Sequence, residues 1–440
     1  MASEHRQTRD APDLPSTPID ETPPVGLDRW KRLGPGIVVA ATGVGAGDLV
    51  ATLVAGARFG YALLWAAVIG CIIKIALAEA TGRYHLATGS TMLQGWRSLG
   101  HWTSWYFGIY ILIWGFVYGG TAMSATALPL AAMFPGLLPF WAWGMASGLA
   151  GALFVLFNRY AVFEAVMKLL IGVMFVVVVG LAILVMPDLD AALIGLAPTL
   201  PEGSAIYTLG LIGGVGGTIT LAAYGYWVNA KGWRSPAWIP MMRFDNRVAY
   251  IATGVFVIAM LIVGAELLYT AQIALSGGDR GLLDLGAVLE ARFGRTVATL
   301  FLIGFAATTF SSVLGVWQGV SLLFADFVRS IRAERAGETA VHDPAIAATL
   351  DRTPAFRFYV LWLTFPPMLL LFLGQPFALI IAYGAFGAFF MPFLAVTLMW
   401  LLNSKAVPAQ WRSGWWSNLM LGLASLLFAV LCVDQIRSLL

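Results

Sequence analysis

Charge is scarce in this sequence. Asp, Glu, Lys and Arg make up 11% of its 440 residues, where soluble globular chains carry about 25%. That deficit excludes a water-soluble globular protein, and a net charge of only +3 gives no basis for nucleic-acid binding. Cysteine is nearly missing. Cys71 and Cys432 both lie in apolar runs, so there is neither a disulfide framework nor a CxxC metal motif, and neither cysteine is assigned a function. Strand-like alternation is missing too, which excludes a transmembrane barrel. No nucleophile, base and metal-ligand set converges, so neither an enzyme nor a cofactor beyond a transported ion is expected. Residues 1–28 have no apolar stretch. With Pro12, Pro15, Pro18, Pro23 and Pro24 they read as a disordered cytoplasmic tail and not as a signal peptide, which needs an apolar core.

What the chain has is apolar length. Hydrophobic residues form 59% of it, at a mean hydropathy of +0.81. A membrane-crossing helix needs about 20 apolar residues. Eleven such runs are readable: 35–57, 61–82, 103–133, 138–157, 162–186, 205–229, 248–272, 297–325, 355–374, 376–402 and 415–435. The fold class expected is an all-α integral membrane protein, with residues 29–440 forming one transporter domain. With the N-terminus in the cytoplasm, inner segments hold eighteen Lys and Arg residues and outer segments hold five, Arg58, Arg280, Arg292, Arg295 and Arg437. Cytoplasmic loops of membrane proteins are enriched in Lys and Arg. The bias therefore places the N-terminus inside and, after eleven spans, the C-terminus outside. The outer loop 187–204, with Asp188, Asp190 and Glu202, reads as a solvated loop. The inner loop 327–354 is charged and Ala-rich and reads as partly helical.

Two runs are interrupted by glycine, five spans apart. The first break is Thr42-Gly43-Val44-Gly45-Ala46-Gly47-Asp48, and the second is Gly213-Gly214-Val215-Gly216-Gly217-Thr218-Ile219-Thr220. Glycine in membrane helices often only permits close packing. Matched breaks in two halves of a chain are a stronger sign, because discontinuous helices mark the binding sites of transporters. Unwound backbone survives in a bilayer only where protein or a wet cavity satisfies it. A half-helix ending near Gly43 turns its carbonyls to that cavity, which favours a cation. Asp48 adds a carboxylate at membrane depth, a functional candidate by its cost alone. The remaining donors are carbonyls and the hydroxyls of Thr42, Thr218 and Thr220. No His, Cys or Met falls in either break. Such hard oxygens suit Mg²⁺ and, less selectively, Mn²⁺ or Ca²⁺.

Other polar residues are secondary candidates. Lys74 and Glu79 are five apart, so they are not an ideal same-face pair. Glu79, Arg83, Arg159 and Glu164 fall together near the inner surface and read as a structural or gating salt-bridge cluster. Glu266 either lines an outer vestibule or pairs with an outer arginine. Thr308, Thr309, Ser311 and Ser312 either face the pathway or bond between helices. Trp30, Trp65, Trp96, Trp102, Trp411, Trp415 and Trp416 lie near span ends and read as an interfacial belt.

Short motifs then point to a family. Gly34-Pro35-Gly36-Ile37-Val38, the broken first span, Leu86-Ala87-Thr88-Gly89, Gly120-Thr121-Ala122 and Phe163-Glu164 resemble the Nramp family of divalent-metal transporters, from about residue 30 to 437. The resemblance implies a LeuT-like fold, with two inverted repeats of five spans at about 30–190 and 203–403, and an eleventh helix at about 415–435. It also implies departures. The family's Asp-Pro-Gly-Asn corresponds to Gly45-Ala46-Gly47-Asp48, so its metal-binding Asp is Gly45 here and its Asn is Asp48. Its Met-Pro-His corresponds to Thr220-Leu221-Ala222, which removes the soft sulfur ligand. The acidic pair of the third span corresponds to Trp114 and Val117, and the glutamine of the tenth to Phe390. These departures resemble the divergent branch of Nramp-related magnesium transporters, which implies a larger, partly hydrated ion and no proton coupling.

The expectation is thus an inner-membrane, monomeric carrier of Mg²⁺ and also Mn²⁺, working by alternating access. Asp48 is its charged contact, with Gly45, Gly217 and Thr220 shaping the cavity. The alternatives are a carrier for a small organic solute such as an amino acid on the same fold, and a non-transporting sensor or partner subunit.

Overall fold

The computed structural model describes residues 22–157, 159–214, 216–269, 280–336, 349–373 and 376–439; side chains at some helical positions, Asp48 among them, lie outside the description. Two half-helices make the first span: α1 (Pro35–Gly43) and α2 (Ala46–Phe59). Then follow α3 (Leu64–Thr88), the short α4 (Met92–Ser98), α5 (His101–Met133), α6 (Phe140–Phe157) and α7 (Tyr160–Leu184). A short α8 (Leu189–Ile194) leads into a second broken span, α9 (Ala205–Gly214) and α10 (Thr220–Ala230). The remainder comprises α11 (Ile239–Gly264), α12 (Arg280–Phe293), α13 (Arg295–Arg335), α14 (Pro354–Thr364), α15 (Met368–Leu371), α16 (Pro376–Asn403) and α17 (Trp415–Leu439).

Among the described residues, eight helical stretches are long and apolar enough to cross a membrane. The first and sixth expected spans exist as half-helices, and the tenth is the 28-residue α16. The ninth is interrupted between α14 and α15, where Pro366 and Pro367 deny the helix two amide donors. The eighth, α13, has 41 residues. At 1.5 Å rise per residue it runs about 60 Å, twice the hydrocarbon thickness of about 30 Å. Its last turns therefore stand clear of the bilayer and carry Arg329, Arg332 and Arg335, the part of loop 327–354 that is helical; residues 337–348 are not described.

Both α1 and α10 pack on α13, and α2 packs along α11. The latter crossing is made close by glycine from both sides. A methyl group at Gly56 would strike the Leu261 carbonyl, and one at Gly264 would lie 2.6 Å from the Leu53 carbonyl oxygen. Small residues let helix backbones approach where lipid gives no hydrophobic drive to associate.

Two tryptophan assignments divide. Trp102, Trp415 and Trp416 are exposed, as an interfacial belt requires. Trp96 is fully buried instead, with its indole N–H donating to Thr397 Oγ1 at 2.8 Å. It sits at the end of an internal helix, α4, and proximity in sequence to a span end misplaced it.

Candidate functional site at the two broken helices

The two breaks meet. A methyl group at Gly43 would run into the Gly216 carbonyl group and the Gly217 amide, so only glycine lets these backbones touch. Gly216 and Gly217 hold φ of +73° and +94°, a region that glycine enters freely. The same two residues thus turn the chain and admit its neighbour.

The opened end of α1 is held by α13. Ser311 Oγ donates to the Ala41 carbonyl at 3.1 Å and Ser312 Oγ to the Thr42 carbonyl at 2.8 Å. Since the Ser312 proton is so engaged, Tyr118 on α5 donates to Ser312 Oγ at 2.6 Å. Thr308 and Thr309 bond back to their own helix, at the Gly304 and Phe305 carbonyls. The four hydroxyls of α13 therefore divide: the threonines are internal, Ser311 is shared between the Thr308 carbonyl of its own helix at 2.8 Å and the break, and Ser312 supports the break. Gly45 lies beside Ser312, whose hydroxyl would be 2.9 Å from an added methyl.

Of the residues singled out at the site, Gly45, Gly217 and Thr220 are described. Asp48 is the third residue of α2, but its side chain is not described. Thr220 begins α10 and is buried, and its hydroxyl finds no hydrogen-bond partner among the described residues. It stands 2.7 Å from where a Gly217 side chain would start. An orphaned buried hydroxyl costs about 1–3 kcal/mol unless something satisfies it. Among the described residues no group of three or more His, Cys, Asp and Glu is placed to hold a metal.

One residue that the sequence offered only as a secondary candidate stands at the break. Lys74 on α3 is fully buried, and its ammonium donates to the Gly217 carbonyl, with the Phe428 ring 5.7 Å away. Its charge is visible in the sequence, but the contact joins residues 143 apart.

The expected cluster of Glu79, Arg83, Arg159 and Glu164 splits in two. Glu79 bonds Arg83 at 3.0 Å and Arg243 at 2.9 Å. Glu164 bonds Lys168 and Lys231, both at 2.6 Å. Two further acids at this basic end of the bundle were not foreseen. Asp245, fully buried, accepts the Gly34 amide at 2.8 Å and the Gly36 amide at 2.5 Å, and so caps α1. Asp326, also fully buried, joins Thr91, Tyr226 and Arg329. At the opposite end, Glu266 lies in a π-helical turn, Ala265–Tyr269, and accepts Tyr61 OH at 2.5 Å. Arg292 reaches the Glu266 backbone carbonyl at 3.4 Å. Asp188 caps α8, so the loop expected to be plainly solvated is partly structured.

The departures of the third and tenth spans are apolar in fact. Trp114 is buried and stacks on Tyr118 with ring centres 4.6 Å apart. Phe390 is fully buried between Tyr110 and Trp96.

Comparison with known proteins agrees with this geometry. The family model described as "Natural resistance-associated macrophage protein-like" (Nramp) matches residues 36–437. A divalent metal cation transporter, MntH, of Mycobacterium leprae is 23% identical over 440 residues, covering 92% of this chain and 93% of that one. Its Mycobacterium tuberculosis counterpart is 27% identical over 315 residues, covering 67% and 70%. Among solved structures, the manganese transporter of Eremococcus coleocola superposes with a TM-score of 0.77 at 18% identity, over 96% of this chain and 90% of the other. The fold is the expected one, LeuT-like with broken first and sixth spans.

Proposed function

The chain belongs to the Nramp family, whose model matches residues 36–437, and from that membership we propose that it carries divalent cations across a membrane by alternating access. Mg²⁺ is the principal ion in this reading and Mn²⁺ the second. The relatives are transporters and not enzymes. The basic end of the bundle faces the cytoplasm of a cell whose inner membrane holds the chain, and a single copy suffices.

The observation that carries the proposal is the Thr220 hydroxyl, buried beside Gly217 and without a partner among the described residues. It is a hard oxygen at the point where both backbones open. Mg²⁺ sheds water reluctantly and is commonly held by one or two carboxylates with several waters kept. Asp48 supplies the carboxylate. Gly45 and Thr220 line the space with carbonyl and hydroxyl oxygens, which reach the ion partly through its water, and Gly217 shapes the turn beside them while its own carbonyl accepts from Lys74. A thioether at position 220 would favour softer ions, and its replacement by a hydroxyl favours harder ones.

Isothermal titration of the purified protein with Mg²⁺, Mn²⁺, Ca²⁺ and a panel of amino acids tests this. Saturable heat is expected with Mg²⁺ and Mn²⁺ and none with amino acids. Saturation by an amino acid, with no response to Mg²⁺ or Mn²⁺, overturns it in favour of an organic solute.

A further inference from the structure

We propose that Lys74 is a built-in cation for the second broken span, doing at the Gly217 carbonyl what a bound inorganic ion would otherwise have to do. Three observations meet here. The lysine is fully buried in α3, in the middle of the bundle. Its ammonium donates to a carbonyl that the unwinding at Gly216–Gly217 releases from helical bonding. That carbonyl belongs to the residue whose backbone abuts Gly43, so the ammonium reaches the junction of both breaks.

The physics assigns it a role. Backbone opened inside a membrane must be satisfied by protein. An ammonium satisfies a carbonyl with a charge-assisted bond, roughly twice as strong as a neutral one. It also fixes a positive charge beside the second break, supported by the negative face of the Phe428 ring. A divalent ion is then repelled from Gly217 toward the first break, where α2 carries Asp48. Lys74 is thus a positioning residue. It holds Gly217 in its turn and sets which break the transported ion approaches, while the lysine itself moves nowhere.

A tethered cation can be removed and replaced by a free one. In Lys74→Ala, uptake of Mn²⁺ or Mg²⁺ into proteoliposomes should fall roughly ten- to a hundredfold, the worth of one charge-assisted hydrogen bond. Added ethylammonium, which has the missing N–H donors, should restore much of the rate. Tetramethylammonium, which has the charge but no donor, should not. This transport arm rests on the divalent-cation reading; a second arm does not. Without any divalent ion, ethylammonium should raise the melting temperature of Lys74→Ala and leave the wild type unmoved. If wild-type protein carries no divalent ion, the functional reading fails while the thermal arm still decides this one. Lys74→Gln, which keeps a neutral donor, should fold and transport poorly; it serves if the alanine variant is not recovered folded. Wild-type uptake by Lys74→Gln or Lys74→Ala, or equal effects of the two amines, overturns the proposal.

Discussion

At the scale of single residues, the site is made of small groups placed where large ones would not fit. Asp48 is the residue on which the transport reading turns. Asp48→Ala should abolish divalent-ion uptake in proteoliposomes, while circular dichroism and the melting temperature stay near wild type, because one carboxylate in the first turn of α2 is worth only about 1 kcal/mol to the helix. Normal uptake by the folded variant would remove Asp48 from the site. Selectivity should respond to the neighbouring positions. Gly45→Asp with Thr220→Met adds a carboxylate and a soft sulfur, and Mn²⁺ and Cd²⁺ should then bind more tightly relative to Mg²⁺. The aspartate must first displace the Ser312 hydroxyl, 2.9 Å from its Cβ position, so Ser312→Ala in the same background should strengthen the gain. Competition titrations check both. What the sequence showed of this site was its chemistry: hard oxygens, glycines and one acid. What it hid was every contact between distant segments. Lys74 and Glu79 looked like a poor pair five apart, and indeed they are not one. Lys74 answers to Gly217 and Glu79 to Arg243 as well as to Arg83 one turn on, and no local spacing contains the two distant partners.

At the scale of elements, the two broken spans are gripped at their basic ends and touch at their middles. Asp245 of α11 accepts the first free amides of α1, and Lys231, just past α10, is paired with Glu164 of α7. Any motion of α1 or α10 away from the scaffold at this end has to break these contacts. Asp245→Asn keeps the shape and removes the charge that suits a helix N-terminus. It should speed hydrogen exchange of the Gly34 and Gly36 amides by about tenfold, the equivalent of about 1.4 kcal/mol. Mass spectrometry of the peptide covering residues 33–38 reads this, and unchanged exchange would show that the cap does not restrain α1. Gly43→Ala tests the middle. Its methyl group has nowhere to go but into the Gly216–Gly217 backbone, so the breaks must separate and transport should be lost, whereas Gly172→Ala, in open space on α7, should be silent. The elements themselves were readable, because long apolar runs and glycine or proline interruptions are local signals. The interruption at Pro366–Pro367 and the extension of α13 beyond the bilayer were not drawn, since a hydropathy window smooths over the first and stops short of the second.

At the scale of the whole molecule, the question is what drives the ion. Moving one charge through 100 mV is worth about 2.3 kcal/mol, so a divalent ion gains about 4.6 kcal/mol and about three orders of magnitude in accumulation. A negative-inside potential therefore suffices without a second coupled ion. Proton coupling needs titratable groups that lead from one side to the other. The third-span positions that resemble the family's acidic pair hold Trp114, stacked on Tyr118, and Val117. The acids described elsewhere lie toward the ends. Glu79 and Glu164 are locked to arginine and lysine at the basic end, and Glu266 is bound to Tyr61 at the other. Between them the described groups at the breaks are carbonyls, hydroxyls and the Lys74 ammonium. Divalent-ion flux should accordingly follow the membrane potential and carry no protons. Proteoliposomes loaded with a pH-sensitive dye, and clamped with potassium and valinomycin, measure both at once. Uptake of Mg²⁺ should rise with inside-negative potential while the internal pH stays flat. Acidification that tracks the Mg²⁺ gradient would instead show coupling and would assign a relay to Glu266 or Glu79. Glu266→Gln and Glu79→Gln then identify which, because only the relay variant would transport the ion with its acidification gone.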